Sequence, residues 1–294
     1  MKLPYSLLAT RLFDTPLLAH PAKARQVAKV FTDRQKRRAD DDWYDDTETV
    51  VTSGAVEVTT RDSKPIYNVV GGAAIIPVSG SLIHKSGNLH MSSGNTGYDG
   101  ILAKVRIARQ DSNVKGIWLD FDSYGGEVSG CFDCADEIRA ESARAGGKPV
   151  WGCVNEAAYS AAYALASQCD VLIAPRTAGM GSIGVVMMHA DYSEMLKEDG
   201  VKVTLIHAGE HKVDGNPYEA LSDATYKEWL ASCEAVRNLF AETVAKGRGV
   251  SAESMLDTEA ACYDATNGKA LGMIDSIASA TTGFNAFVDH LNGR

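Results

Sequence analysis

Long apolar runs are missing: nowhere in the 294 residues do 18 apolar side chains follow one another, so no membrane-spanning helix is expected. Leucines follow Lys2 at the N-terminus, but Arg11 and Asp14 interrupt them before an apolar signal-peptide core can form. Clustered positive charge is equally scarce. The basic run Arg34-Gln35-Lys36-Arg37-Arg38 is followed at once by Asp40, Asp41, Asp42, Asp45 and Asp46, and the chain carries a formal net charge of -9. A surface that holds phosphates needs concentrated Lys and Arg, so nucleic acid is excluded as the main partner and the run reads as solvated linker. Paired sets of metal-ligand cysteines are absent too. Of the six cysteines, Cys131 and Cys134 form a CxxC with no second pair at zinc spacing, and most of the six sit in apolar segments, where a thiol acts as a small hydrophobe. No metal or other cofactor is expected, and a reducing, cytosolic compartment fits the thiols. Internal repeats and low-complexity tracts are lacking as well.

What is present, at 45% hydrophobic residues, suffices for one sizeable α/β domain plus an appendage. Residues 1–62 read as an N-terminal arm, mostly helical or flexible. It has a short apolar start, an amphipathic helix from Pro21 to about Arg38, and an acidic linker. That helix carries Ala24, Val27, Ala28, Val30 and Phe31 on one face, which should dock on its own domain or on another subunit. Residues 63–280 read as the main domain and 281–294 as a C-terminal tail. Within the domain, strands are expected at 73–78, 115–121, 149–154, 171–174, 183–188 and 201–207. Helices are expected at 98–109, 129–145, 157–167 and 222–246. Repeated β-α units with short connections imply a largely parallel sheet flanked by helices.

Chemistry concentrates at three places. Ser160, in Tyr159-Ser160-Ala161-Ala162-Tyr163, follows a strand and opens an Ala-rich helix, where backbone N–H groups are unpaired and the helix dipole is positive. Asp122-Ser123-Tyr124-Gly125-Gly126-Glu127 supplies a paired-glycine turn able to approach a substrate backbone closely. The N–H of Ala161 and those of Gly125-Gly126 are therefore candidate oxyanion donors. A serine nucleophile needs a base, and Lys212, after the apolar stretch 201–206, could have its head held in a dry site, as a neutral amine requires. His211 and His189 are rival bases for which no orienting Asp stands out. Each residue also has a plainer reading, Ser160 as a helix N-cap and Lys212 as a solvated surface lysine.

The segment Gly181-Ser182-Ile183-Gly184-Val185 resembles the Gly-Ser-Ile-Gly-Val signature of signal-peptide-peptidase-A-type serine peptidases, family S49. Lys212, 52 residues after Ser160, matches that family's spacing of nucleophile and base. The resemblance implies Ser160 as nucleophile, Lys212 as general base, Ser182 as a hydroxyl that helps hold the lysine, and Gly126 with Ala161 as oxyanion donors. Three further segments are similar to head-maturation proteases of lambda-type tailed phages, over about residues 66 to 277. They are Cys131-Phe132-Asp133-Cys134-Ala135-Asp136, His211-Lys212-Val213-Asp214-Gly215-Asn216-Pro217-Tyr218 and Leu256-Asp257-Thr258-Glu259-Ala260-Ala261.

This likeness implies a ClpP/crotonase-like repeated β-α-β spiral. It also implies a homo-oligomer that cuts scaffold and itself inside the procapsid, in the host cytoplasm, in company with capsid and portal proteins. Two departures stand out: Tyr124 replaces the proline of the usual Ser-Pro-Gly-Gly turn, and Ala161-Ala162 replace glycines after the nucleophile. The chain also ends soon after the domain, where lambda-type relatives carry a fused scaffold region. Other readings are an S49 peptidase with another peptide substrate, a crotonase-type acyl-CoA enzyme, and a catalytically inactive capsid-assembly protein.

Overall fold

The computed structural model describes residues 15–20, 65–87 and 94–294. The helix expected from Pro21 to about Arg38 and the acidic linker lie outside the described residues. In chain order the strands are β1 (Leu17–Ala19), β2 (Asn68–Val70), β3 (Ala73–Ile83), β4 (Asn95–Gly97), β5 (Gly116–Glu127), β6 (Val150–Tyr159), β7 (Val171–Ala174), β8 (Gly179–Gly181), β9 (Cys262–Asp264) and β10 (Ser276–Ile277). The α-helices are α1 (Tyr98–Gln110), α2 (Cys131–Glu141), α3 (Ala161–Ala166), α4 (Ser193–Glu198), α5 (Asp223–Arg248), α6 (Ala252–Leu256), α7 (Ala265–Ala270) and α8 (Ala280–Leu291).

One sheet runs in the order β10-β7-β6-β5-β3-β2. From β10 to β3 all neighbours are parallel, as β-α-β crossovers require, and β2 closes the edge antiparallel to β3. The first six residues of β5 are buried apart from Asp120, which is why the run Ile117-Trp118-Leu119 reads as continuously apolar rather than alternating. Helices α1, α2 and α3 share the main core with Phe121, Tyr163 and Phe240. On another part of the sheet, Phe287 of α8 packs with Trp118, Cys153 and Ile173. The segment 281–294 thus carries a helix docked on the domain.

The α/β, repeated β-α-β organisation is as the sequence indicates, with three local differences. Residues 157–159, expected in the helix after Ser160's strand, instead prolong β6, because Ala157, Ala158 and Tyr159 find partners in Gly179, Met180 and Gly181 of β8. The stretch 183–188 makes a single bridge among the described residues, Val186 to Leu17, so it is no strand of the sheet. Residues 201–207 have no strand partner among the described residues either, and Ile206 is 95% exposed. Apolar residues alone do not make a strand where no neighbour satisfies the backbone.

Candidate active site

β6 leaves the sheet at Tyr159 and α3 begins at Ala161, so Ser160 makes the strand-to-helix turn by itself. Its backbone sits at φ 55 and ψ -123, a conformation that side chains resist. Three bonds impose it: the Ser160 N–H donates to the Gly181 carbonyl at 2.8 Å, and its carbonyl accepts from the N–H groups of Tyr163 and Ala164 at 2.8 and 3.0 Å. The residue is completely buried, and its hydroxyl has no hydrogen-bond partner among the described residues. A capping serine has extended backbone and accepts an N–H from the first helical turn. Ser160 does neither, which sets the capping role aside. The N–H groups of Ala161 and Ala162, as the first in the helix, have no acceptor within it.

The paired glycines are not a turn but the last part of β5. Gly125 has φ +94, and a Cβ there would lie 2.2 Å from the Leu18 carbonyl oxygen and 3.0 Å from the Ser160 Cβ. A Cβ on Gly126 would lie 1.8 Å from the Leu82 carbonyl oxygen. Both positions therefore require glycine, and Gly125 borders Ser160 directly. A residue whose role the sequence reading missed fixes this stretch. Buried Ser123 donates its hydroxyl to the Gly80 carbonyl at 2.7 Å and accepts the Gly125 N–H at 3.2 Å. The signal was the serine itself, two residues before the first glycine. Tyr124, where proline was expected, packs its ring against Tyr159 at 5.4 Å and His20 at 5.8 Å.

Ser182 arrives on the far side. It follows β8, is 4% exposed, has φ 55, and donates its N–H to the Ala261 carbonyl at 2.9 Å. Because the preceding Gly181 carbonyl holds the Ser160 N–H, Ser182 is tied to Ser160 through one residue. The fold thus gathers Ser160, Ala161, Gly125, Gly126 and Ser182.

It does not gather Lys212. That residue lies exposed on a 3-10 turn, Glu210–Val213, and no hydrogen bond links it to Ser160 among the described residues. The expected dry setting fails with the missing strand at 201–207. The turn instead rides on α5, where Gly215 lies so close to the ring of Trp229 that a Cβ would come within 2.2 Å of it. His211, the rival base, has an Asp partner that only the fold reveals: Nδ1 lies 2.7 Å from an oxygen of Asp214, whose hydrogen bond and charge raise the imidazole pKa. The pair is exposed and apart from Ser160. Ligand atoms of His211, Asp214 and Glu228 lie within 4.8 Å of one another, an exposed grouping that surface carboxylates form without an ion. Cys131 and Cys134 are buried in the core face of α2, where burial pushes the Cys131 thiol up to about 12 and raises Cys134 well above its usual value. They are protonated hydrophobes at neutral pH.

The model of "Peptidase family S49" matches residues 142–291, a span that holds Ser160, Ser182 and Lys212. The chain belongs to peptidase family S49. Two relatives of this S49 chain come from phages. Head-tail preconnector protein GP5 of Enterobacteria phage P21 is 42% identical over 229 residues, covering 78% of this chain and 45% of that protein. Capsid assembly protease C of Escherichia phage lambda is 42% identical over 229 residues, covering 78% of this chain and 51% of that protein. The chain spans about half the length of these curated relatives. A solved structure described as an enoyl-CoA hydratase/isomerase from Acinetobacter baumannii overlaps at a TM-score of 0.46 and 15% identity, covering 78% of this S49 chain and 80% of that one. That likeness is too slight to carry an argument.

Proposed function

We propose that this S49 chain is a serine endopeptidase that acts in the maturation of a phage procapsid, cutting scaffold and its own chain. The observation that carries the reading is Ser160: a fully buried hydroxyl without a partner among the described residues, held on a strained elbow beside a glycine wall. A group kept at that cost serves a purpose other than stability. The 42% identity to a lambda capsid assembly protease supports the substrate class. The proposed partners are scaffold, capsid and portal proteins, met inside the procapsid in the host cytoplasm, with the chain as a homo-oligomer.

In the proposed mechanism a neutral Lys212 takes the Ser160 proton as Oγ attacks a peptide carbonyl. The N–H groups of Gly126 and Ala161 receive the developing oxyanion. Protonated Lys212 then gives its proton to the leaving amine, and water, activated by the same lysine, releases the acyl group. Ser182 helps position the lysine. Since Lys212 stands exposed in the single chain, it reaches Ser160 either through closure of the turn at 209–216 or from a neighbouring subunit.

Incubating wild-type, Ser160→Ala and Lys212→Ala chains with the scaffold protein, followed by intact-mass analysis, tests the dyad. Cleavage by wild type alone is expected, and no cleavage by any of the three supports an assembly role instead. Mixing the two variants separates the routes for Lys212: restored cleavage means the lysine crosses between subunits, and continued inactivity means closure within one chain.

A further inference from the structure

β1 lies in the cleft of the candidate site. After Ser123, β6 no longer pairs with β5, and β1 takes the vacated edge antiparallel, with Leu17 opposite Glu127, Leu18 opposite Gly126 and Ala19 opposite Gly125. On its other side, Leu17 exchanges two backbone hydrogen bonds with Val186, at 2.8 and 3.0 Å, four residues beyond Ser182. The segment is thus held as an extended strand between two backbone walls, the arrangement by which a groove binds a peptide through its main chain.

The register is informative. The His20 N–H donates to the Tyr124 carbonyl at 2.9 Å. In an antiparallel ladder bonded pairs recur every second residue, so Leu18 and Gly126 form the neighbouring pair and the Leu18 carbonyl meets the Gly126 N–H. Gly126 is one of the two proposed oxyanion donors. The gap that a Cβ on Gly125 would fill separates the Leu18 carbonyl oxygen from Ser160. The Leu18 side chain is completely buried in the main core, while Ala19 and His20 stay partly exposed and His20 packs on Tyr159 at 4.8 Å.

We infer that the groove beside Ser160 takes an extended peptide whose apolar residue enters the Leu18 pocket, and that Leu17–His20 of the chain itself occupies it as a self-inhibitory strand. The inference rests on the peptidase reading for its name as inhibition, but the occupancy is testable without catalysis. A substrate must displace this strand, so its apparent affinity falls with the fraction of groove left open.

The test uses the full chain carrying Ser160→Ala and a fluorescein-labelled Thr-Pro-Leu-Leu-Ala-His peptide, the sequence of residues 15–20. Adding Leu18→Asp to the protein should tighten peptide binding by about tenfold or more, because a carboxylate does not stay in an apolar pocket. Leu18→Met, of similar size, should leave the affinity within about twofold. Equal affinity for the peptide with and without Leu18→Asp overturns the inference. Hydrogen exchange in the unaltered chain is a second measurement that needs no variant: the amides of His20 and Val186 should be protected, and rapid exchange at both overturns the inference. Fluorophosphonate labelling of Ser160 distinguishes the two readings. No labelling with or without Leu18→Asp, alongside the expected peptide binding, removes the peptidase and leaves the strand in its groove. Labelling that is equally fast in both refutes the block and leaves the peptidase.

Discussion

Replacing Ser160 should make the protein more stable, and by an amount that separates two sources of strain. Ser160 is fully buried with a hydroxyl that has no partner among the described residues, a burden of about 1–3 kcal/mol. Its φ of 55 adds a conformational penalty of about 1–3 kcal/mol. Ser160→Ala removes the first alone, so a gain of about 1 kcal/mol is expected. Ser160→Gly removes both, against roughly 0.5–1 kcal/mol for the greater freedom of unfolded glycine, so a net gain of about 2 kcal/mol is expected. Urea denaturation of the three chains under one condition measures this, and melting temperature should rise by about 2–4 °C per kcal/mol for a domain of this size. Both variants should lose peptide cleavage. Ser160→Ala no more stable than wild type would show that the buried hydroxyl is satisfied in solution. Ser160→Gly less stable than Ser160→Ala would refute the backbone strain.

Two further outcomes follow from buried charge. Lys104 on α1 is 2% exposed, and burial lowers its pKa from 10.5 to about 8. At Lys104 the unfolded chain therefore binds more protons between these values, so the cost of burying this group, about 3 kcal/mol and fully present below pH 8, is relieved as pH rises from about 8 to 10.5, while the buried thiols act in the opposite sense. Lys104→Met should stabilise the protein at pH 7 by about 1–3 kcal/mol in urea titrations, and its advantage over wild type should shrink between pH 8 and 10.5; an advantage independent of pH would refute it. Arg248, with a side chain 4% exposed, grips both oxygens of Asp275 at 2.8 and 3.0 Å. Burial acts to raise the Asp275 pKa, but the bonds from Arg248 and from the Leu172 N–H outweigh it and the net shift is downward. The contribution is therefore present above the ordinary carboxylate pKa and lost as pH falls through the folded value. Arg248→Met should cost about 2 kcal/mol at pH 7, the exposed side of Asp275 moderating the loss, and should flatten the acid limb of a stability-against-pH curve.

The sequence by itself determined the parts of this protein that local pattern encodes. Apolar runs punctuated by glycine and by helix caps place β3, β5, β6 and the helices between them, because a buried parallel strand and an amphipathic helix each leave their own period. Ser160 and the paired glycines were legible for the same reason, each expected at or just after a strand end, whereas Ser182 was marked by its resemblance to a family signature and not by any period. Only the tertiary structure decided what depends on a distant partner. Leu17–Ala19 is too short to show any period, and it becomes a strand because β6 departs from β5 and leaves an unpaired edge more than a hundred residues away in sequence. Residues 201–207 have the apolar composition of a strand but no neighbour to pair with among the described residues, and Lys212 lies exposed rather than sheltered. Backbone hydrogen bonds must be made with something, and which segments find a partner is settled by the packing of the whole chain.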